Sequence, residues 1–186
     1  MGFSRDQLET FRDATVPDLI GPGCRLLFVG INPGLWTAAT QTHFCHPSNR
    51  FYPALRGAGL IDFELDTDTG MTDEQRHDFT STGMGISNLV QRATIRASEL
   101  TREELVHGGD RLTRLVEAIR PAVVAVAGIT AYRSAFGAKS AVPGRQERAG
   151  RAEWWVLPNP SGLNAHATVA DLSGWFSAVA DAAGIS

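Results

Sequence analysis

The sequence predicts an α/β domain with a mostly parallel sheet, and three observations carry that expectation. Continuous apolar runs at Arg25–Ile31, Ala122–Gly128 and Glu153–Pro158 each suit a strand buried on both faces. Segments of helical periodicity fall between and after them. No repeat or low-complexity stretch breaks the alternation, which is the order of parallel β-α-β units. With 186 residues, 43% of them hydrophobic, one domain is expected over 1–186, its first 20 residues peripheral.

Asp6–Thr15 reads as a short helix, closed by Pro17 and a turn at Gly21-Pro22-Gly23. The first strand, RLLFVGI, stops abruptly at Asn32-Pro33-Gly34. Asn49–Ala58 has helical spacing through Phe51, Leu55 and Ala58. Within the acidic stretch Asp62–Asp78, Thr72 and Gln75 have the spacing of a capping box that starts a helix. Thr101 and Glu104 form another, opening an amphipathic helix to Ile119 with Pro121 just beyond. The second strand is followed by a helix at Thr130–Phe136 and by a loop at Gly137–Gly150, where Lys139, Arg145 and Arg148 face one acid, Glu147. The third strand stops at Asn159-Pro160-Ser161-Gly162, and Ala167–Ala183 is a final helix with Leu172, Trp175, Phe176 and Val179 on one face. Sites in parallel sheets gather past the carboxyl ends of the strands, which singles out Asn32–Ser48, Gly128–Thr130 and Asn159–His166.

Composition narrows the partners. The formal net charge is −3, whereas a simple nucleic-acid binder is usually basic. The distribution softens this, because much of the acid lies in Asp62–Asp78, which can face away from a polyanion. Lys139 is the only lysine; a GC-rich coding sequence explains that preference for arginine, but it still leaves the chain nearly without primary amines. Cys24 and Cys45 are too few for a disulfide framework. The first 20 residues lack a secretion signal's apolar core, and no apolar run approaches the roughly 18–20 residues of a membrane span. A cytoplasmic monomer without membrane contact or cofactor is expected.

The strand-end loops carry the chemistry. GINPGL at 30–35 lacks the spacing of a P-loop or of the dinucleotide Gly-x-Gly-x-x-Gly motif; on its own Asn-Pro-Gly is a turn. His43, Cys45 and His46 lie close together but without zinc-ligand spacing, so no metal is expected. Phe44 is either core or a platform for a flat ring. NPSGL at 159–163 echoes the first loop, so two strands ending in Asn-Pro turns would bring two amides and several free N–H groups around one pocket. Leu163, after a Ser-Gly turn, either packs under its loop or is a wedge that enters a base stack.

Together GINPGL, HPSNRF at 46–51 and NPSGL resemble the mismatch-specific uracil/thymine DNA glycosylases, the second family of the uracil-DNA glycosylase superfamily. GISNLVQR at 85–92 is similar to that family's central segment, and the likeness runs from about Pro22 to Leu172. The resemblance implies a three-layer α/β/α fold and excision of uracil, thymine or etheno-cytosine opposite guanine from double-stranded DNA. It makes Asn32 the catalytic amide, which orients water without acting as a base. Phe44 becomes the platform for the flipped base, and the N–H groups of Ile31 and Phe44 the donors to its carbonyls. Gly34, Asn88 and Asn159 complete the base pocket, with Asn159 standing where faster relatives carry His. Ser161, Gly162, Leu163 and Asn164 form the DNA wedge.

Two departures stand out. Asn164 replaces the family's usual Ser, and Ala165 stands where Arg is frequent, which removes one phosphate or stack contact that Arg148 or Arg151 could compensate. A single lysine far from every motif implies a monofunctional enzyme, since lyase chemistry needs an amine. Two other readings stay open: a non-catalytic protein that binds mismatches or abasic sites, and an enzyme acting on free nucleosides.

Overall fold

The computed structural model describes residues 2–185. Strand β1 (Leu26–Gly30) is buried along its whole length, and its side chains alternate between two cores. Leu26 and Phe28 enter one, with Leu55, Phe51 and Phe176; Leu27 and Val29 enter the other, with Leu112, Tyr132 and Trp154. Strands β2 (Met84–Asn88), β3 (Val123–Ala127) and β5 (Glu153–Leu157) lie parallel to β1, and β4 (Gly144–Gln146) adds an antiparallel edge. The order is β2-β1-β3-β5-β4. Helices α1 (Arg5–Glu9), α2 (Leu35–Thr40), α3 (Phe51–Gly57) and α4 (Asp73–Ser81) belong to the first half. Helices α5 (Arg102–Ile119), α6 (Ile129–Phe136) and α7 (Val169–Ala183) complete the chain. α3 packs on α7 over one face and α5 on α6 over the other, giving the three layers. No helix of the described residues is long and apolar enough to cross a membrane.

The capping boxes at Thr72/Gln75 and Thr101/Glu104 are both formed, as are further boxes at Ser4/Gln7 and Thr168/Asp171. Four elements depart from the sequence expectation. α1 ends at Glu9 rather than Thr15, because Asp13 takes a left-handed φ of 62° and donates its N–H to Ala93. β2 was hidden by Gly85, Ser87 and Asn88; Gly85 is required, since a Cβ there would come within 2.9 Å of the Cys24 sulfur. α2 is one short turn-and-a-half after the Asn-Pro-Gly stop. Part of the expected loop Gly137–Gly150 is β4.

The segment expected to be peripheral is partly built into the domain. Val16 is buried, Thr15 and Leu19 bridge antiparallel to Arg92 and Ile86, and Pro17 reaches the cleft region through its carbonyl. It covers the open edge of β2, which would otherwise be free to pair with another chain.

Candidate active site

A cleft of about 620 Å³ opens at the carboxyl ends of β1, β2, β3 and β5. Ile31, Asn32, Gly34, Phe44, Asn88, Asn159, Ser161, Leu163 and Asn164 all line it. The topology brings them together: three parallel strands end in, or just before, an asparagine.

Each of the three amides has one end tied down. Asn32 donates from Nδ2 to the Pro33 carbonyl (3.1 Å), the Arg92 carbonyl (3.0 Å) and Thr94 Oγ1 (2.8 Å). Acceptors on that side dictate the amide's orientation, and among the described residues nothing donates to its Oδ1. Asn159 is held the other way round: Oδ1 accepts from the Ser161 N–H (3.0 Å), which leaves Nδ2 as a spare donor. Asn88 is buried, and its Nδ2 faces His43 Nδ1 at 3.0 Å, so Oδ1 is the free end. The cleft is thus offered two amide acceptors and one amide donor. Among the described residues nothing accepts from the N–H of Ile31 or Phe44.

Phe44 serves core and cleft at once. One face stacks on Phe51, centroids 4.1 Å apart and rings 22° from parallel, while the residue also lines the cleft. Its backbone is left-handed (φ 57°), a conformation that costs a bulky residue about 1 kcal/mol or more and that persists only where surroundings enforce it. Gly30 leaves the ring room; a Cβ there would sit 2.4 Å from Asn88 Oδ1 and 3.1 Å from Phe44 Cζ.

Leu163 is 89% exposed, which decides between the two readings of that residue: it does not pack under its loop. The loop beneath it is nonetheless held. Leu163 N–H donates to Ser161 Oγ, Asn164 Nδ2 to the Asn159 carbonyl, and Arg50 Nη1 to the carbonyls of Asn164 (2.7 Å), Ala167 (3.1 Å) and Ser161 (3.4 Å). Gly162 does not line the cleft; it lies on Ser48, where a Cβ would collide with backbone at 2.7 Å.

A family model described as the Uracil DNA glycosylase superfamily matches residues 17–180. The chain belongs to that superfamily. It is therefore a DNA glycosylase, a hydrolase of N-glycosyl bonds whose partner is DNA. The stretch matched begins at Pro17 and takes in every cleft residue.

Arg148 and Arg151, the arginines singled out by sequence for this glycosylase's phosphate contact, lie away from the cleft. Arg148 lies over the rings of Phe136 (4.1 Å) and Trp154 (4.5 Å) and donates to Thr113, in a second cavity lined by Pro121, Arg151 and Ala152. That cavity is at the amino ends of β3 and β5, opposite the cleft. The cation on the cleft's rim is Arg96, beside the half-exposed Ile95. Nor does the whole acidic stretch face away: Thr67 takes hydrogen bonds from Trp36 Nε1 (2.6 Å) and the Cys45 sulfur, so its neighbours Asp66 and Asp68 flank the loop that carries Phe44. Cys45 is buried there while His46 turns to Ser48, and no group of three or more His, Cys, Asp or Glu among the described residues could hold a metal ion.

Thr94, Arg92, Arg50 and His43 were missed as supporting residues. Thr94 is buried, accepts from Asn32 and donates to the Arg96 carbonyl, linking the amide to the rim. Arg92, whose carbonyl also holds Asn32, is itself gripped by Glu104 and Asp13. Hydrogen bonds from Arg92 and then from the Thr101 N–H pull the Glu104 carboxyl down from 4.5 to about 2. A depressed carboxyl stabilises the fold above its ordinary pKa and loses that contribution as pH falls through the folded value. Glu104→Gln is expected to melt at a lower temperature than wild type near neutral pH, with the gap narrowing below about pH 4.5 and closing near pH 2. Thermal melts of both proteins across that range check it; a gap independent of pH contradicts it.

Proposed function

We propose that this glycosylase is monofunctional and mismatch-directed, removing uracil opposite guanine, with thymine and etheno-cytosine opposite guanine as further substrates. The observation that carries the reading is the fixed Asn32 amide, its free Oδ1 in one cleft with the Phe44 ring and with Leu163 at the rim. Leu163 enters the stack as the base leaves it, and the flipped pyrimidine lies on Phe44. Asn32 Oδ1 accepts a hydrogen bond from a water and aims the water's lone pair at the sugar C1′. As the glycosidic bond breaks, the sugar gains oxocarbenium character and the base takes the electron pair. The N–H groups of Ile31 and Phe44, with Asn159 Nδ2, are neutral donors for that anion. An amide cannot remove the water's proton, so attack waits for the sugar cation to develop; the proton then passes through solvent to the departed base anion, and turnover is slow.

Monofunctional action follows from the amines. A lyase needs one that reaches C1′. Lys139 follows α6, which runs back from the carboxyl end of β3, so the only lysine is at the far end of the sheet from the cleft. A monomer acting on cytoplasmic DNA is part of the same reading.

A labelled duplex with one G·U pair tests it under single-turnover conditions. Cleavage at the uracil after alkali, and none before it, is the expected result, and borohydride yields no covalent protein–DNA adduct. A mobility shift without release of uracil favours the mismatch-binding reading instead. A trapped adduct overturns the monofunctional assignment, and equal rates opposite guanine and adenine overturn the mismatch preference.

A further inference from the structure

The geometry points to His43 as a positioning residue that sets which base the cleft accepts, by locking the amide of Asn88; this rests on the function proposed above. His43 is buried, and its ring bridges the Pro17 carbonyl and the Asn88 amide. Nε2 lies 2.8 Å from the Pro17 carbonyl, which can only accept, so Nε2 carries the ring proton. In a neutral imidazole Nδ1 is then bare, and the Asn88 amide beside it must present its NH2. Burial keeps the ring neutral by lowering its pKa, with Asp18 and Arg76 as the charged groups that act on it in opposite directions. The polarity runs one way: Pro17 carbonyl, His43, Asn88, cleft.

Asn88 cannot swing as a whole. Its backbone carbonyl accepts from Arg111 Nη2, and Arg111 is tied through Nη1 to Asp18 and through Nη2 to Ser87. The backbone is thereby held and the side chain is buried, and His43 fixes which end of the amide faces the cleft. Asn88 Oδ1 therefore faces the space over Gly30, beside the edge of Phe44. A base stacked on Phe44 meets a hydrogen-bond acceptor there. Uracil and thymine carry an N3–H that an acceptor satisfies, whereas the bare N3 of cytosine is repelled. The lock favours imide bases, whereas etheno-cytosine, whose N3 carries no hydrogen, forgoes this bond and is held more weakly.

Two measurements test this. The first uses the free wild-type protein labelled with 15N histidine: the His43 ring is expected as the Nε2–H tautomer with an unprotonated Nδ1. The Nδ1–H tautomer overturns the lock, whatever the substrate.

The second compares affinities for duplexes carrying 2′-fluoro-deoxyuridine, which resists excision, or its N3-methyl derivative, each opposite guanine. Wild type is expected to prefer the N3–H base by about tenfold, the scale of one buried hydrogen bond. His43→Leu frees the amide and abolishes the preference. His43→Gln spans the same two partners with the same polarity and restores it. Binding to a duplex with a baseless tetrahydrofuran site reports folding and is expected to be the same in all three proteins. If His43→Leu does not fold, wild type and His43→Gln carry the test, and loss of the preference in the glutamine variant overturns the lock. A wild-type protein indifferent to the N3 methyl also overturns it. Absence of uracil release, by contrast, counts against the glycosylase reading alone.

Discussion

Asn32→Ala is expected to lower the single-turnover rate on a G·U duplex by about 100- to 1,000-fold, the scale of one preorganised polar group at a reaction centre. The side chain makes its three hydrogen bonds from Nδ2, so the alanine variant loses them together with the free oxygen. The Pro33 carbonyl keeps the Thr94 N–H as a donor, and the Arg92 carbonyl lies beside an open cleft where water replaces the amide, so the melting temperature falls only slightly. Duplex affinity, which depends on wedge and platform, is expected to stay within about threefold. A variant that retains more than a tenth of the wild-type rate sinks the assignment. Asn32→Asp is not a simple gain of a base. Its second oxygen would sit against the carbonyls of Pro33 and Arg92, so the carboxylate must turn away from the position that the amide occupies.

Leu163→Ala separates wedge from packing. At 89% exposure the leucine side chain contributes almost nothing to the fold, and the melting temperature should match wild type. Excision from a duplex is nevertheless expected to fall by about 10- to 100-fold, because filling the vacated stack offsets an unstacking cost of a few kcal/mol. Uracil in a single strand has no stack to fill, so its rate should change by about twofold or less. Equal losses on both substrates mean that the residue shapes the pocket instead. No loss on either would fit an enzyme of free nucleosides.

Much of this was legible from residue order alone. The strands at Arg25, Ala122 and Glu153 announce themselves because parallel strands buried on both faces are apolar throughout. β2 escapes that logic: Met84 and Ile86 face the core, but Gly85 makes way for Cys24 and Asn88 belongs to the cleft, so the run never looks like a strand. Asn32 and Asn159 drew attention because two of the legible strands stop at Asn-Pro turns, whereas Asn88 and the roles of Phe44 and Leu163 came from the family resemblance. Their supports were not legible, since Thr94, Arg50 and His43 act through contacts that sequence spacing does not encode. Arg148 and Arg151, singled out for a phosphate contact, lie away from the cleft for a topological reason. The Gly137–Arg151 segment lies between a helix returning from the cleft and a strand leading back to it, so it turns at the far end.

Arg50 and Phe51 are adjacent, and they serve opposite halves of the cleft. Arg50 binds three carbonyls of the Leu163 loop and its flank, while Phe51 is the floor on which Phe44 rests. One peptide bond thus joins the anchor of the leucine loop to the floor of the shelf, so the spacing between wedge and platform is set by covalent geometry and by the core in which Phe51 is buried.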